Sequence, residues 1–561
     1  MKLLAHLMFR RVRHTLFRVL CRTSQLTRQM RLSYLPPLMV YLAAGVSGLT
    51  GIVGTFFVKD YLDLPAEFLA MLGFWVGLPW AMKMPLGHLV DLIWKWKSIL
   101  VFLGATLIAA SLTIMLFLIL SPTLLPTSMS MKSWFVLAAM FSPIGYVLQD
   151  VVADAMTVEA VPTVDETGNP LDPKAIKSMH TTMQTLGRAA IVAGGIGVSL
   201  INILMFDNAA TMVEKEKLAV YAQIYKLAMI IPLISISGVI LAEVLRRCRL
   251  RKLLQTGGPA KAIAQARSQG CEKVTPNWLI LGGSGLFIAF TLIMGMYQVP
   301  FNQEIVFTGS MAIVLFLMAR LMKELKPPAR RALLATAIVI FIFRALPGPG
   351  AGASWWQIDE LGFDQQFMST LALIGSTLAL FGMFIFRRFM AERSIFFIVG
   401  FLTIVGSVLS LPIIGMFYGL HEWTASLTSG VVDARFIAVV DTALESPLGQ
   451  IAMIPMLAWI ANSAPAHLKA TFFAVMASFT NLALSLSNLL TKYLNQLFTI
   501  SREVTDPLTS RLITAADYSE LGQMLITVTV IGLVLPMLTI LLVNKRQPVK
   551  RLSLFPGQAG Q

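Results

Sequence analysis

Ser98–Leu120 reads SILVFLGATLIAASLTIMLFLIL, twenty-three residues without one ionisable side chain. A helix of about 20 mostly apolar residues crosses the hydrocarbon core of a bilayer, so this stretch can span a membrane. Immediately before it stands GHLVDLIWKWK, Gly87–Lys97, whose Asp91, Lys95 and Lys97 mark a connection lying in water. Working outward, windows of the same apolar kind recur along the chain at 35–58, 67–86, 98–120, 134–156, 180–205, 223–245, 277–299, 304–322, 331–347, 367–386, 395–418, 431–460, 470–497 and 521–543. The pattern predicts an all-α polytopic membrane protein of about 14 spans.

Composition agrees. Of 561 residues 56% are hydrophobic and 13% charged, and the mean hydropathy is +0.73. Soluble domains carry roughly 25% charge, so soluble enzymes, nucleic-acid binders and disordered scaffolds are excluded. The net charge of +16 therefore points to the membrane and not to a polyanion, because cytoplasmic loops collect Lys and Arg.

That rule also sets direction. Arg10, Arg11, Arg13, Arg18, Arg22, Arg28 and Arg31 precede the first span; Arg246, Arg247, Arg249, Arg251 and Lys252 follow the sixth. Lys323, Lys326, Arg330 and Arg331, then Arg387, Arg388 and Arg393, then Lys545, Arg546, Lys550 and Arg551 fall on the same side, while the other side holds scattered cations such as Lys59, Lys132 and Lys215. Both termini are expected in the cytoplasm, and a bacterial inner membrane is the expected location. Cys21, Cys248 and Cys271 then face a reducing compartment, and their spacing fits neither a metal site nor a disulfide framework. Residues 1–34 contain no acid. Their apolar residues recur at helical spacing among arginines, which fits an interfacial amphipathic helix; an organelle transit peptide shares that composition.

Internal similarity organises the spans. Leu62-Asp-Leu-Pro-Ala-Glu-Phe68 aligns with Leu361-Gly-Phe-Asp-Gln-Gln-Phe367, and Ser142-Pro-Ile-Gly145 with Ser446-Pro-Leu-Gly449, in the same order and at nearly the same offset. Both matches pair spans of equal direction, as a parallel repeat requires. The expected organisation is a basic segment 1–34, a six-span half 35–245, a cytoplasmic linker 246–276, an inserted two-helix hairpin 277–322, a second six-span half 331–543 and a cytoplasmic tail 544–561.

A 6+6 parallel repeat resembles the major facilitator superfamily, and Gly87-His-Leu-Val-Asp91 followed by Lys95 and Lys97 resembles its gating loop, with Leu92 where that family places an Arg. Further stretches narrow the likeness: Lys59-Asp60-Tyr-Leu, Pro79-Trp80-Ala-Met-Lys83, Asp150-Val-Val-Ala-Asp154-Ala-Met-Thr-Val-Glu159 and Leu448-Gly-Gln450-Ile-Ala-Met-Ile-Pro455 resemble the folate-biopterin transporter family. The resemblance covers both halves and leaves 277–322 as an addition. It implies a pterin or folate substrate. The family's Pro directly after the span-2 Lys is displaced here by Met84 to Pro85.

Ionisable residues inside spans are expensive and are functional candidates by default. Asp150 and Asp154, at i and i+4, share a helix face, and two buried carboxylates on one face are the arrangement that a proton relieves. Glu159 is read as loop-side. In the next span His180, Gln184 and Arg188 share a face at spacings of four, with Arg188 expected near the depth of Asp150. Either a structural salt bridge joins these two spans, or the Asp/Arg cluster with Lys83 is a gate that opens on protonation or binds an anion. The second half contributes Arg344, Asp441, Glu445 and Gln450, and a polar stripe of Asn481, Ser485 and Asn488 read as interhelical glue. Gly45, Gly48, Gly51 and Gly54 are read as packing residues, and Trp75, Trp80, Trp355 and Trp356 as interfacial.

The leading expectation is a secondary transporter for a small organic, anionic, folate- or pterin-like solute, working by alternating access in the lipid bilayer. Buried carboxylates fit proton symport. No phosphate-binding GxxxxGK loop is present, so ATP does not drive it directly. Cofactors, metals and nucleic-acid partners are not expected. An intramembrane enzyme finds no support: His6, His14, His88, His180, His421 and His467 form no i, i+4 pair, and no GxSxG elbow occurs. A muropeptide or other metabolite permease, and a non-transporting sensor or assembly factor on the same fold, remain the alternatives.

Overall fold

The computed structural model describes residues 32–545 apart from 63, 82, 162–170, 208–211, 256–262, 264–277, 297–298, 324, 326, 387–388, 391–392, 450, 452–468 and 506–511. The first half comprises α1 (Leu35–Val46), α2 (Gly51–Tyr61), α3 (Ala66–Ala81), α4 (Lys83–Leu92), α5 (Ser98–Leu120), α6 (Met131–Ala160), α7 (Pro173–Met205), α8 (Glu214–Ala228) and α9 (Ile230–Gln255). Next come α10 (Trp278–Met296) and α11 (Asn302–Met322), the hairpin. The second half holds α12 (Pro327–Arg344), α13 (Ala351–Asp359), α14 (Gln365–Ile385), α15 (Ile395–Leu409), α16 (Leu411–Phe417), α17 (Leu420–Leu427), α18 (Ala434–Glu445), α19 (Lys469–Leu497) and α20 (Leu521–Lys545).

Ten helical stretches among the described residues are long and apolar enough to cross a membrane. The protein is an integral, multi-pass membrane protein. The first expected span is interrupted, running as α1, a 3-10 turn at Ser47–Thr50, and α2. Pro79 lies inside α3 and Pro85 follows Lys83, and a proline removes a backbone donor from the helical ladder. One element has no counterpart in the sequence reading. Between α19 and α20 a two-strand antiparallel ladder forms, β1 (Val504–Thr505) with β2 (Leu512–Thr514).

The halves meet along two seams, α3 against α19 and α7 against α14. The internal repeat explains why there are two: the offset that carries α3 onto α14 carries α7 onto α19, so the seams are two copies of one contact. Polar side chains of α19 close the first seam on exposed carbonyls of α3, Asn481 Nδ2 on Trp80 O at 2.8 Å and Asn488 Nδ2 on Gly73 O at 3.1 Å. Inside each half, packing is closer. A Cβ on Gly104 of α5 would fall 2.5 Å from Gly145 O of α6, and one on Gly194 of α7 would fall 2.8 Å from the Gly45 backbone of α1.

The hairpin lies beside the first seam. Val306, Val314, Leu317 and Met318 of α11 share one buried cluster with Phe74 and Leu78 of α3 and Val475 and Phe479 of α19. Glu304 of α11 pairs with Lys492 of α19 at 2.9 Å and accepts the Tyr493 hydroxyl.

The face at which α1 begins and α20 ends is called here the terminal face, and the opposite one the far face. Toward the far face the two halves are tied by polar contacts. Lys59 Nζ of α2 is 2.6 Å from Asp359 Oδ1 of α13, Gln365 Nε2 donates to Tyr221 Oη at 2.9 Å, and Arg502 donates to Leu62 O.

Candidate functional site

Asp150 and Asp154 stand one turn apart on α6. Lys83, the first described residue of α4, reaches both of them: Lys83 Nζ pairs with Asp150 and lies 2.9 Å from Asp154 Oδ2. Tyr41 of α1 completes the group by donating its hydroxyl to Asp154 Oδ1 at 2.6 Å. Three helices are therefore joined at one point. The side chain of Asp150 is 15% exposed and that of Asp154 42%, so Asp154 is the carboxylate open to the interior space. A lysine between two carboxylates neutralises half of their charge; the remaining negative charge makes the group able to hold one further cation or proton.

Arg188 of α7 is half-buried. Among the described residues no carboxylate lies within ion-pair distance of it, although its charge acts on Asp150 and Asp154. The ring of Tyr41 packs over the residue before it, where a Cβ on Gly187 would fall 2.8 Å from Tyr41 Cε2. Arg188 also acts electrostatically on Arg344, the last residue of α12. One guanidinium from each half thus acts on the other, and like charges in a medium poorer than water repel.

At the terminal face Glu159, the loop-side acid, is held by Lys97 at 2.6 Å, and Lys97 lies 4.3 Å from the centre of the Trp94 ring. Burial holds the Glu159 carboxyl above its usual pKa, with Lys97 opposing the shift. This pair fixes the end of α6 to the turn before α5.

This arrangement can be set beside known proteins. The BT1 family profile matches residues 44–551. The chain belongs to the BT1 family. Among characterised relatives of this BT1 protein, the folate-biopterin transporter of Synechocystis sp. (strain ATCC 27184 / PCC 6803 / Kazusa) is 27% identical over 154 residues, which is 28% of this chain and 30% of that one. The match thus spans less than a third of the relative's length. Its fold is similar to that of a POT family transporter in complex with a thioalcohol conjugated peptide, with TM-score 0.55, 13% identity, and 92% and 96% of the two chains covered. A mutant of the nucleoside transporter NupG gives TM-score 0.51 and 11% identity, with 91% and 99% covered. At such identities the likeness is one of fold: a major-facilitator-like bundle, whose relatives are transporters and not enzymes.

The BT1 chain arranges the expected residues differently from the simplest reading of their spacing. The ion-pair partner of Asp150 and Asp154 is Lys83 of α4, not Arg188 of the adjacent span. Gly87 and Asp91 sit within α4, and the turn comes later, at the 3-10 segment Trp94–Trp96 with Lys95 exposed. Asp441 and Glu445 lie on α18 away from the Lys83 group; Glu445 is exposed, and one carboxylate oxygen of Asp441 is buried without a hydrogen bond. Asn481 bonds the end of α3 as interhelical glue. Gln450 and the side chains of His180, Gln184 and Asp91 lie outside the described residues. The reading of the glycine stripe as packing holds for Gly45; Gly51 and Gly54 have open space where a Cβ would be. Sequence reasoning missed Tyr41, Asp359 and the internal position of Trp355, which is 2% exposed. Spacing could have signalled Tyr41, since it lies one turn before Gly45, the residue that packs on α7.

Proposed function

We propose that this protein moves a small organic anion of the folate or pterin class across a membrane by alternating access of its two halves, coupled to protons at the Lys83–Asp150–Asp154–Tyr41 group. The observation that carries the anion is the pair Arg188 and Arg344. Each belongs to a different half, Arg188 has no carboxylate within reach among the described residues, and an anion bridging them would remove their mutual repulsion. Such a ligand ties its own binding to the approach of the halves, which alternating access about a midplane site requires.

Charge arithmetic supplies the coupling. With both aspartates ionised, Lys83 and Arg188 balance them; a proton on Asp154 leaves the interior one charge more positive and strengthens its hold on an anion. Linkage makes the effect reciprocal, so the bound anion favours the proton by the same factor, typically 5–150-fold for couplings of 1–3 kcal/mol. The expected orientation places the terminal face in the cytoplasm of a bacterial inner membrane, with the cation-rich loops inside.

The deciding experiment is uptake by proteoliposomes of folic acid, biopterin, a muropeptide and a nucleoside, with and without an inward proton gradient. Accumulation of folate or pterin that collapses when the gradient is dissipated supports the reading. Accumulation of the muropeptide or nucleoside alone, or of none of them, overturns it.

A further inference from the structure

Near the far face a cavity of about 490 Å³ lies between the halves. From the first half it is lined by α2, α5, α6 and α8, and from the second by Ala351, Ser354 and Trp355 of α13. No Asp, Glu, Lys or Arg lines it, which separates it in chemistry from the Lys83 group. Its first lining residue on this span, Ser47, stands six residues beyond Tyr41, about 9 Å along the helix at 1.5 Å per residue.

Part of its wall is aromatic: Phe135, Tyr146, Tyr225 and Trp355 line it. The Trp355 ring is buried and carries the Arg502 guanidinium 5.4 Å from its centre. One side is left smooth by Gly51 and Gly54, where an added Cβ would meet nothing within 4 Å. A glycine inside a helix costs stability, and here no close packing offsets that cost. Ser142 and Ser354 line the cavity, and their hydroxyls make no hydrogen bond among the described residues.

We infer that this cavity is a second binding position, for the uncharged, planar heteroaromatic ring of a solute. Aromatic walls offer the ring its faces, the glycines admit it edge-on, and Ser142 and Ser354 meet the donors and acceptors of its rim. Mostly apolar walls with a few placed polar groups, at this volume, are the usual make-up of a small-molecule site. The inference deepens the functional reading above, since it assigns the neutral ring to this cavity and the anionic end to the arginines.

The test is equilibrium binding to the purified full-length protein of three probes: biopterin, which has the ring without the anionic tail; p-aminobenzoylglutamate, which has the tail without the ring; and folic acid, which has both. Gly54→Leu fills the cavity and should weaken biopterin and folic acid at least about tenfold, equivalent to about 1.4 kcal/mol, while leaving p-aminobenzoylglutamate unchanged. Arg188→Gln should do the reverse for the two single-feature probes. Gly51→Val serves the same purpose should Gly54→Leu misfold, and Gly54→Ala should keep or raise the melting temperature. Unchanged biopterin affinity in a folded cavity-filling variant, or no biopterin binding to the wild type, overturns the inference. If biopterin binds and responds to Gly54→Leu but no probe is transported, the cavity assignment stands and the transport reading fails.

Discussion

Lys59 of α2 reaches Asp359 of α13 across the boundary between the halves, Nζ to Oδ1 at 2.6 Å, with side chains 11% and 24% exposed. Tyr518 donates its hydroxyl to the other oxygen of the same carboxylate; burial first, and then that bond, hold the phenol above its usual pKa, so it stays a donor. Asp359 lies one turn beyond Trp355 on α13, and Lys59 follows Val58, which lines the same cavity. The ion pair therefore stands close along the chain to two residues of the cavity wall.

Removing one member should weaken this tie between the halves. Leaving a partly buried charge without its partner costs up to 3–5 kcal/mol, and partial exposure reduces this, so Asp359→Asn is expected to lower stability by about 2 kcal/mol. The double variant Lys59→Gln with Asp359→Asn should recover part of the loss. Thermal unfolding in detergent measures both, and strictly additive losses would show that the two side chains are not coupled.

Within the Lys83 group the order of damage follows from what each change leaves behind. Lys83→Met leaves two carboxylates facing each other and should be worst. Asp154→Asn keeps the shape and the Tyr41 contact but removes the more accessible carboxylate, so it should abolish proton-driven accumulation more than it weakens substrate binding. Tyr41→Phe deletes one hydrogen bond to a charged group, worth about 1.5–3 kcal/mol, and should be mildest. Proteoliposome uptake across a pH series, together with melting temperatures, ranks the three; wild-type uptake and pH dependence in Asp154→Asn would remove the group from the coupling mechanism.

Orientation can be read by labelling. Cys248, near the end of α9, is exposed, whereas Ser128 and Thr428 fall in connections at the far face. Cysteines placed at those two positions should react with an impermeant thiol reagent added outside intact cells, and Cys248 should react only after permeabilisation. The reverse pattern would invert the expected topology.

The hairpin α10–α11 tests how lipid replaces protein. Lipid tails cover an uncovered apolar helix face at little cost, so deleting 277–322 should leave a core that folds. Its main cost is Lys492, 11% exposed and deprived of Glu304. Adding Lys492→Leu to the deletion should therefore restore much of the lost melting temperature, whereas unfolding of both versions would make the hairpin part of the obligatory core.

Much of this was legible in the residues. Long apolar runs such as Ser98–Leu120 report directly on the solvent they face, and the Ser142 and Ser446 repeats gave the parallel halves that reappear as two matched seams. Which cation meets Asp150 and Asp154 was not legible. Lys83 and Arg188 both stand at suitable depths, and the choice is made by how α4 and α7 each pack on α6, which no periodicity measures. Trp355 escaped for a related reason: a tryptophan near a span end suits an interface equally well, and only the fold of the Pro347–Gly350 corner turns it inward. Lys59 and Asp359 are 300 positions apart in the chain, and spacing carries no information about such a pair.

Gly104 on Gly145, and Gly194 on Gly45, bring main chain against main chain, and the second half repeats the device where a Cβ on Gly382 would fall 2.4 Å from Pro447 O. Contacts of this kind have no rotamers through which to slide, so each half is stiff along these lines. Between the halves, by contrast, several contacts are made by Asn481, Asn488, Lys59 and Arg502, side chains that can exchange one partner for another. Freedom to slide is thus partitioned by residue type: backbone packed on backbone at the glycines leaves none, and long polar side chains between the halves leave some.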